Sequence, residues 1–362
     1  MSVQSWRRVV NSSFDNLKRV LSPSTSLRIN STEGSAIQNL KWIGIIAIVL
    51  VMCGAAAQAQ QPGKVPKIGF LSSGPATRPW RASFQREFEK LGYVDGKNVN
   101  FIHRFADTNY DRLPALADEL VRLKVDVIIT PGSNDTRAAK NATKTIPIVF
   151  LGAGSDPVVL GLVDSLARPG GNLTGVSNIA SGLAGKRLEL LKETIPKLSR
   201  IAVLWNPQNA GSTQVWKESQ SQAKELGLQL HSMTVDSADQ LESKFKEAVK
   251  ARSGALVVTA GALLAAIQTQ IISLAAKYRM PAIADGGEFV DNGGLMSYGP
   301  DRIEPYQRGA VMVDKILKGA KPADLPVEQP TKFELMINLK TAKTLGLTIP
   351  PVVLMRAEKV IK

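Results

Sequence analysis

Five short stretches of this 362-residue chain carry the same kit of small hydroxyl, amide and carboxylate residues set among glycines. They are Ser72-Ser73-Gly74, Thr130-Pro131-Gly132-Ser133-Asn134-Asp135, Gly152-Ala153-Gly154-Ser155-Asp156, Asn206-Pro207-Gln208-Asn209-Ala210-Gly211-Ser212 and Asp285-Gly286-Gly287-Glu288. A glycine-rich loop that leads into a helix exposes backbone N–H groups at the positive end of the helix dipole. That is a receptor for a carboxylate or another anion. Asp156, Asp285 and Glu288 suit the opposite task, facing the amine of a zwitterion. The candidate ligand-binding set is therefore Ser72, Ser73, Gly132, Ser133, Asn134, Ser155, Asp156, Asn206, Asp285 and Tyr298. Each loop also has a plainer reading. Ser133 and Ser155 fit helix N-caps, and Asp156 before Pro157 fits a turn entering a helix. Recurrence of one chemistry across several loops favours a ligand site somewhere among them. Trp205 and Tyr298 stand at strand ends, where a ring either stacks on a ligand or packs a hinge.

A search for catalysis comes up short. The chain has no G-x-S-x-G elbow, no G-x-x-x-x-G-K-[ST] loop and no G-x-G-x-x-G, and Gly152-Ala153-Gly154 lacks the third glycine of a dinucleotide fingerprint. Its two histidines, His103 and His231, are far apart, and Cys53 is its single cysteine. Metal and triad chemistry have little material, so no metal, no cofactor and no catalytic residue is expected. A binding protein explains the residues better than an enzyme.

The loops sit at the ends of elements that repeat in a regular order. Apolar, β-branched runs at 67–71, 99–105, 125–130, 146–151 and 173–177 read as buried parallel strands. Segments of helical period separate them at 79–91, 110–123, 134–143 and 158–167. Leu113, Leu116, Ala117, Leu120, Val121 and Leu123 show that period clearly. The alternation begins again with strands at 201–205, 229–235, 255–259 and 281–284 and helices at 186–195, 214–226, 238–250 and 265–278. A strand at 293–299, a helix at 303–317, a proline-rich connector at 319–330, a strand at 333–337, a helix at 339–345 and a helical patch at 353–360 complete the chain. The fold class is α/β, with two Rossmann-like doubly wound lobes, a hinge and a central cleft. Ligands of such sheets bind beyond the carboxyl ends of the strands, where these loops lie. The expected division is 65–177 plus 286–319 for the first lobe and 178–285 plus 320–362 for the second.

Residues 1–59 form an N-terminal extension and a signal peptide. Lys41 precedes an apolar run, Trp42 to Ala57, that ends in Ala57-Gln58-Ala59. A basic flank, a run short of the ~20 residues of a bilayer span, and an A-x-A site describe a cleaved secretory leader. A cytoplasmic tail with an uncleaved anchor is the alternative, and the long polar front end fits either that or an over-extended start. Lipid attachment at Cys53 is disfavoured because Met52 before it is not small. Cleavage after Ala59 leaves a mature chain with no cysteine and hence no disulfide. The formal net charge is +14, but lysine and arginine are spread along amphipathic segments, which points to a solvated surface rather than nucleic acid.

A set of ordered motifs completes the reading. Lys67-Ile68-Gly69-Phe70-Leu71-Ser72-Ser73, Tyr110-Asp111-Arg112-Leu113-Pro114-Ala115-Leu116-Ala117, Ile146-Pro147-Ile148-Val149-Phe150 and Asp156-Pro157-Val158 are followed by Leu166-Ala167-Arg168-Pro169-Gly170-Gly171-Asn172-Leu173-Thr174-Gly175. Lys186-Arg187-Leu188-Glu189-Leu190-Leu191, Gly293-Gly294-Leu295-Met296-Ser297-Tyr298-Gly299, Pro330-Thr331-Lys332-Phe333-Glu334-Leu335 and Asn338-Leu339-Lys340-Thr341-Ala342 come later. Together they resemble the exported substrate-binding proteins of ABC transporters of the tryptophan/tyrosine type. The resemblance implies a type I periplasmic binding fold, closure on a small solute such as an aromatic amino acid or related compound, and delivery to an inner-membrane permease. It implies a periplasmic, monomeric protein with no nucleic-acid partner. A sensor that feeds a membrane receptor is the rival reading, and an exported enzyme a more distant one.

Overall fold

The computed structural model describes residues 64–75, 79–153, 156–178, 182–301 and 303–362. The expected leader, its cleavage site, Cys53 and Ser155 lie outside these residues. Among the described residues no helix is long and apolar enough to cross a membrane.

The first lobe contains β1 (Lys67–Ser72), α1 (Pro79–Lys90), β2 (Asn100–Phe105), α2 (Leu113–Arg122), β3 (Val127–Thr130), α3 (Ser133–Ala142), β4 (Ile148–Ala153) and β5 (Leu173–Ser177). Its strands pair in the order β2-β1-β3-β4-β5, all parallel. A parallel sheet with covered faces needs apolar side chains on both, which is why these strands are nearly continuous Val, Ile, Leu and Phe. Leu71, Ile128, Ile148 and Phe150 pack toward α2 and α3. Ile68, Ile129, Val149 and Leu151 pack on the opposite face. Gly175 closes the β4–β5 seam, since a Cβ there would stand 2.1 Å from the Phe150 carbonyl oxygen.

The second lobe follows with α4 (Ala184–Thr194), β6 (Arg200–Trp205), α5 (Ala210–Glu225), β7 (Gln229–Thr234), α6 (Leu241–Lys250), β8 (Ala255–Val258), α7 (Ala262–Ala266), α8 (Gln268–Lys277), β9 (Ala282–Ala284), α9 (Glu288–Asp291) and β10 (Met296–Pro300). The chain then gives α10 (Glu304–Leu317) to the first lobe, against α1, β4 and β5. It returns to the second lobe for β11 (Phe333–Asn338), α11 (Leu339–Thr344), α12 (Pro351–Leu354) and β12 (Lys359–Ile361). The seven strands of this sheet run β12-β11-β10-β9-β8-β6-β7, and only the β10–β11 pair is antiparallel.

Four features differ from the sequence expectation. The chain re-enters the first lobe after Pro300, not at 286, because β10 pairs with β9 and β11 in the second sheet. It also stays there beyond 319. Val327 bonds to Leu166, and Glu328 bonds to Gly175 and Ser177 along the outer edge of β5, before the chain leaves again. Residues 158–167 form turns, not a helix. Gly161 sits at φ +64° and the N–H groups of Leu162 and Val163 both return to the Pro157 carbonyl. The patch at 353–360 is one short helical turn followed by β12, whose pairing with β11 decides its conformation. The chain thus passes between the lobes three times: between β5 and α4, between β10 and α10, and between α10 and β11.

Candidate ligand-binding cleft

The carboxyl ends of β1, β3 and β4 face those of β6, β8 and β9 across a cleft. It holds about 1070 Å³ unfilled by protein atoms, counting its open mouth. Ser72, Ser73, Gly132 and Ser133 line it from the first lobe and Asp285 from the second. These five of the expected residues are brought together. Ser72 Oγ accepts the Gly74 N–H at 3.1 Å, which folds the loop after β1 back on itself. Ser133 opens α3 behind Gly132, and no side chain caps that helix, so its first N–H groups are left for whatever occupies the cleft. The Ser133 hydroxyl is buried with no hydrogen-bond partner.

The remaining expected residues sit elsewhere. Asp156 is exposed, and its Oδ1 accepts the N–H groups of Val158 and Val159, so it holds a turn. Asn206 is buried under the loop after β6, where its Oδ1 accepts the Gln208 N–H at 2.7 Å. The Tyr298 carbonyl accepts from Arg187 Nε at 2.8 Å, and its ring lies against Phe333, away from the cleft. Asn134 reaches across to the other lobe: Nδ2 donates to the Gln208 carbonyl at 2.7 Å and Oδ1 accepts the Ala210 N–H at 3.0 Å. Trp205 stacks on Trp216 at 5.6 Å with the planes 9° apart, which settles its role as packing. Glu288 starts the short α9 and does not line the cleft.

Residues outside the ten-residue candidate set complete the walls. Phe70, Phe105 and Tyr306 supply aromatic surface, and Asn178, Asn209 and Asp301 supply polar groups. Asn178 Oδ1 is buried and accepts no hydrogen bond. Phe70 looked like any strand residue, and Tyr306 belongs to α10, which reaches this lobe only through a tertiary crossing. Neither carried a local signal.

Asp135 is the most perturbed group of the cleft. It is 1 % exposed, and its Oδ1 accepts the Ser73 N–H at 2.9 Å. Burial pushes its carboxyl pKa up to about 7, and the Ser73 hydroxyl and N–H and the Gly132 N–H oppose the shift only in part. Asp285, 5 % exposed, faces the same space from the second lobe. Tyr110 is also desolvated, which raises its phenol pKa against the effect of its Asn209 hydrogen bond. Among the described residues no group of His, Cys, Asp and Glu is gathered to hold a metal.

The fold has counterparts among known proteins. A tyrosine-binding protein of Clostridioides difficile (strain R20291) is 28% identical over 280 residues, covering 77% of this chain and 80% of that protein. The ABC domain from Streptococcus pneumonia, solved in complex with L-Trp, is 26% identical, covers 82% of this chain and 99% of its own, and superposes with a TM-score of 0.73. A substrate binding protein with adhesive properties from Clostridium difficile, in its ligand-free, open structure, is also 26% identical. It covers 82% of this chain and 100% of its own, but superposes with a TM-score of only 0.58. The architecture is the type I periplasmic binding fold. The family of ABC transporter substrate binding proteins matches residues 67–361, nearly all of the described chain, and the protein belongs to it.

Proposed function

We propose that this protein is the exported binding component of an ABC importer and captures an aromatic amino acid by closing its two lobes. The observation that carries this reading is the pair of buried carboxylates, Asp135 and Asp285, facing one aromatic-walled cleft from opposite lobes. An ammonium group between them can donate to both, and pairing with it in a water-poor cleft is far stronger than in bulk water. The uncapped N-terminus of α3 offers N–H groups to the ligand carboxylate, and Phe70, Phe105 and Tyr306 offer faces to a ring. Ligand contacts from both lobes stabilise the closed form, so binding shifts an existing equilibrium and forms no covalent bond. The closed lobes are then the form presented to the permease. The family, the similarity to a tyrosine-binding protein and the similarity to a structure in complex with L-Trp support this assignment, and the leader reading supports a periplasmic location.

Titration calorimetry with L-tyrosine, L-tryptophan and their analogues tests the proposal. The amino acids should bind in the micromolar range or tighter, about −8 kcal/mol or more favourable. Analogues without the amine should lose at least about tenfold, because the charged hydrogen bonds from the ammonium to the cleft carboxyl groups are then lost. Equal binding with and without the amine, or no binding of any aromatic amino acid, rejects this assignment.

A further inference from the structure

Beside the ligand cleft, behind its wall residue Asn209, the lobes meet in a compact set of polar contacts. Besides the two hydrogen bonds of Asn134, Asn209 Nδ2 reaches the Tyr110 hydroxyl at 3.2 Å. Asn134 stands in the first turn of α3, and Tyr110 stands just before α2. Gln208, Asn209 and Ala210 are consecutive at the start of α5. Neither Asn134 nor Tyr110 lines the cleft. Both line a separate, open groove on its outer side, with Arg137 and Lys217 from the two lobes.

Ala210 is the first residue of α5, and the leading N–H groups of a helix have no intrahelical acceptor. The N-cap Asn209 uses its Oδ1 on Ser212 N–H at 2.8 Å, so it does not serve Ala210. The acceptor for the Ala210 N–H is the side chain of Asn134, on the other lobe. Three groups are therefore matched only when the lobes are together: the Ala210 N–H, the Gln208 carbonyl and the Tyr110 hydroxyl. Separation of the lobes returns each of them to water.

We infer that Asn134 and Tyr110 are closure residues: they set ligand affinity by joining the lobes and make no contact with the ligand. The inference rests on capture by closure, as proposed above. Apparent affinity equals the affinity of the closed form scaled by the fraction of protein that is closed. Loss of a latch contact therefore weakens every ligand by one factor and leaves the preference among ligands unchanged. Loss of a cleft contact changes that preference.

The test perturbs one arm of the latch and reads the other. Tyr110→Phe keeps the ring that packs beside Leu113 and removes only the hydroxyl. Amide hydrogen exchange then reports the Ala210 N–H, whose acceptor Asn134 is untouched, and the Thr213 N–H, bonded to the Asn209 carbonyl inside α5, serves as control. The expected result is a protected Ala210 amide in the wild type, with protection lowered about fivefold in Tyr110→Phe and Thr213 unchanged. L-tyrosine and L-tryptophan should each bind about fivefold more weakly to Tyr110→Phe. Asn134→Ala, which loses two bonds, should weaken both by roughly tenfold or more at a constant ratio. An unprotected Ala210 amide in the wild type, or protection indifferent to Tyr110→Phe, overturns the inference. So does a loss confined to one of the two ligands. If neither amino acid binds the wild type, the ligand assignment fails, and the Ala210 amide still decides whether the latch exists.

Discussion

Asp135→Asn should make the unliganded protein more stable at pH 8 and leave it unchanged near pH 4. The folded carboxyl titrates at about 7 against a reference of 3.8 for the unfolded chain. Below the unfolded value both states hold the proton and the site costs nothing. Between the two values the unfolded chain has released its proton while the folded one keeps it. The folded state then binds more protons, and stability falls as pH rises. Above about 7 the cost is complete and constant. An interval of about three units at ~1.4 kcal/mol each gives about 4 kcal/mol. The physical source is burial: the carboxyl is 1 % exposed, and its hydrogen bonds from Ser73 and Gly132 offset the lost hydration only in part. Asparagine carries no charge and keeps an oxygen for the Ser73 N–H. Thermal unfolding of both proteins from pH 4 to 8 reads the difference, which should reach about ten degrees at pH 8. Saturating L-tyrosine should flatten the wild-type decline, because its ammonium pairs with the ionised group. Affinity should accordingly rise with pH through 7 in the wild type and lose that rise in the variant. Parallel pH curves for the two proteins, or a variant less stable than wild type at pH 8, refute the reasoning.

Three further outcomes follow from the same geometry. Gly299→Ala places a Cβ 2.0 Å from the Asp285 carbonyl oxygen, so the strand end carrying Asp285 must move. Denaturant unfolding should show a loss of about 2 kcal/mol or more, with ligand affinity reduced as well. Asp156→Ala should leave affinity unchanged and cost about 1 kcal/mol of stability, since its carboxylate serves only the Val158 and Val159 amides. A drop in affinity there would return Asp156 to the binding set. Tyr93→Phe removes the 3.0 Å bond from the Tyr93 hydroxyl to Asp314, which ties the loop after α1 to the returning α10. Chemical denaturation should register about 1 kcal/mol lost, and the phenol titration pushed up to about 12 should vanish from the absorbance profile.

The glycine- and hydroxyl-rich loops were legible because strand and helix periods place them at the ends of sheets that need no further information to recognise. Ser72, Ser73, Gly132, Ser133 and Asp285 reach the cleft on that basis. Asn134 and Asp135 show where such reading stops. They are neighbours in one loop and chemically similar, yet one crosses to Ala210 and Gln208 while the other is sealed beneath Ser73. The helical rotation of about 100° between adjacent residues sends them in different directions, and only the position of the second lobe decides what each meets.

The chain by itself determined the αβ alternation, the two arrays and the family motifs, because each depends on patterns within a few residues or on their order. Tertiary structure alone decided that β10 completes the second sheet, that α10 brings Tyr306 back to the first lobe, and that Trp205 packs on Trp216. It also decided that two carboxylates 150 residues apart in sequence, Asp135 and Asp285, share one cleft. Strand pairing and lobe closure join distant residues through burial and hydrogen bonds made only in the assembled fold, and no local period encodes them.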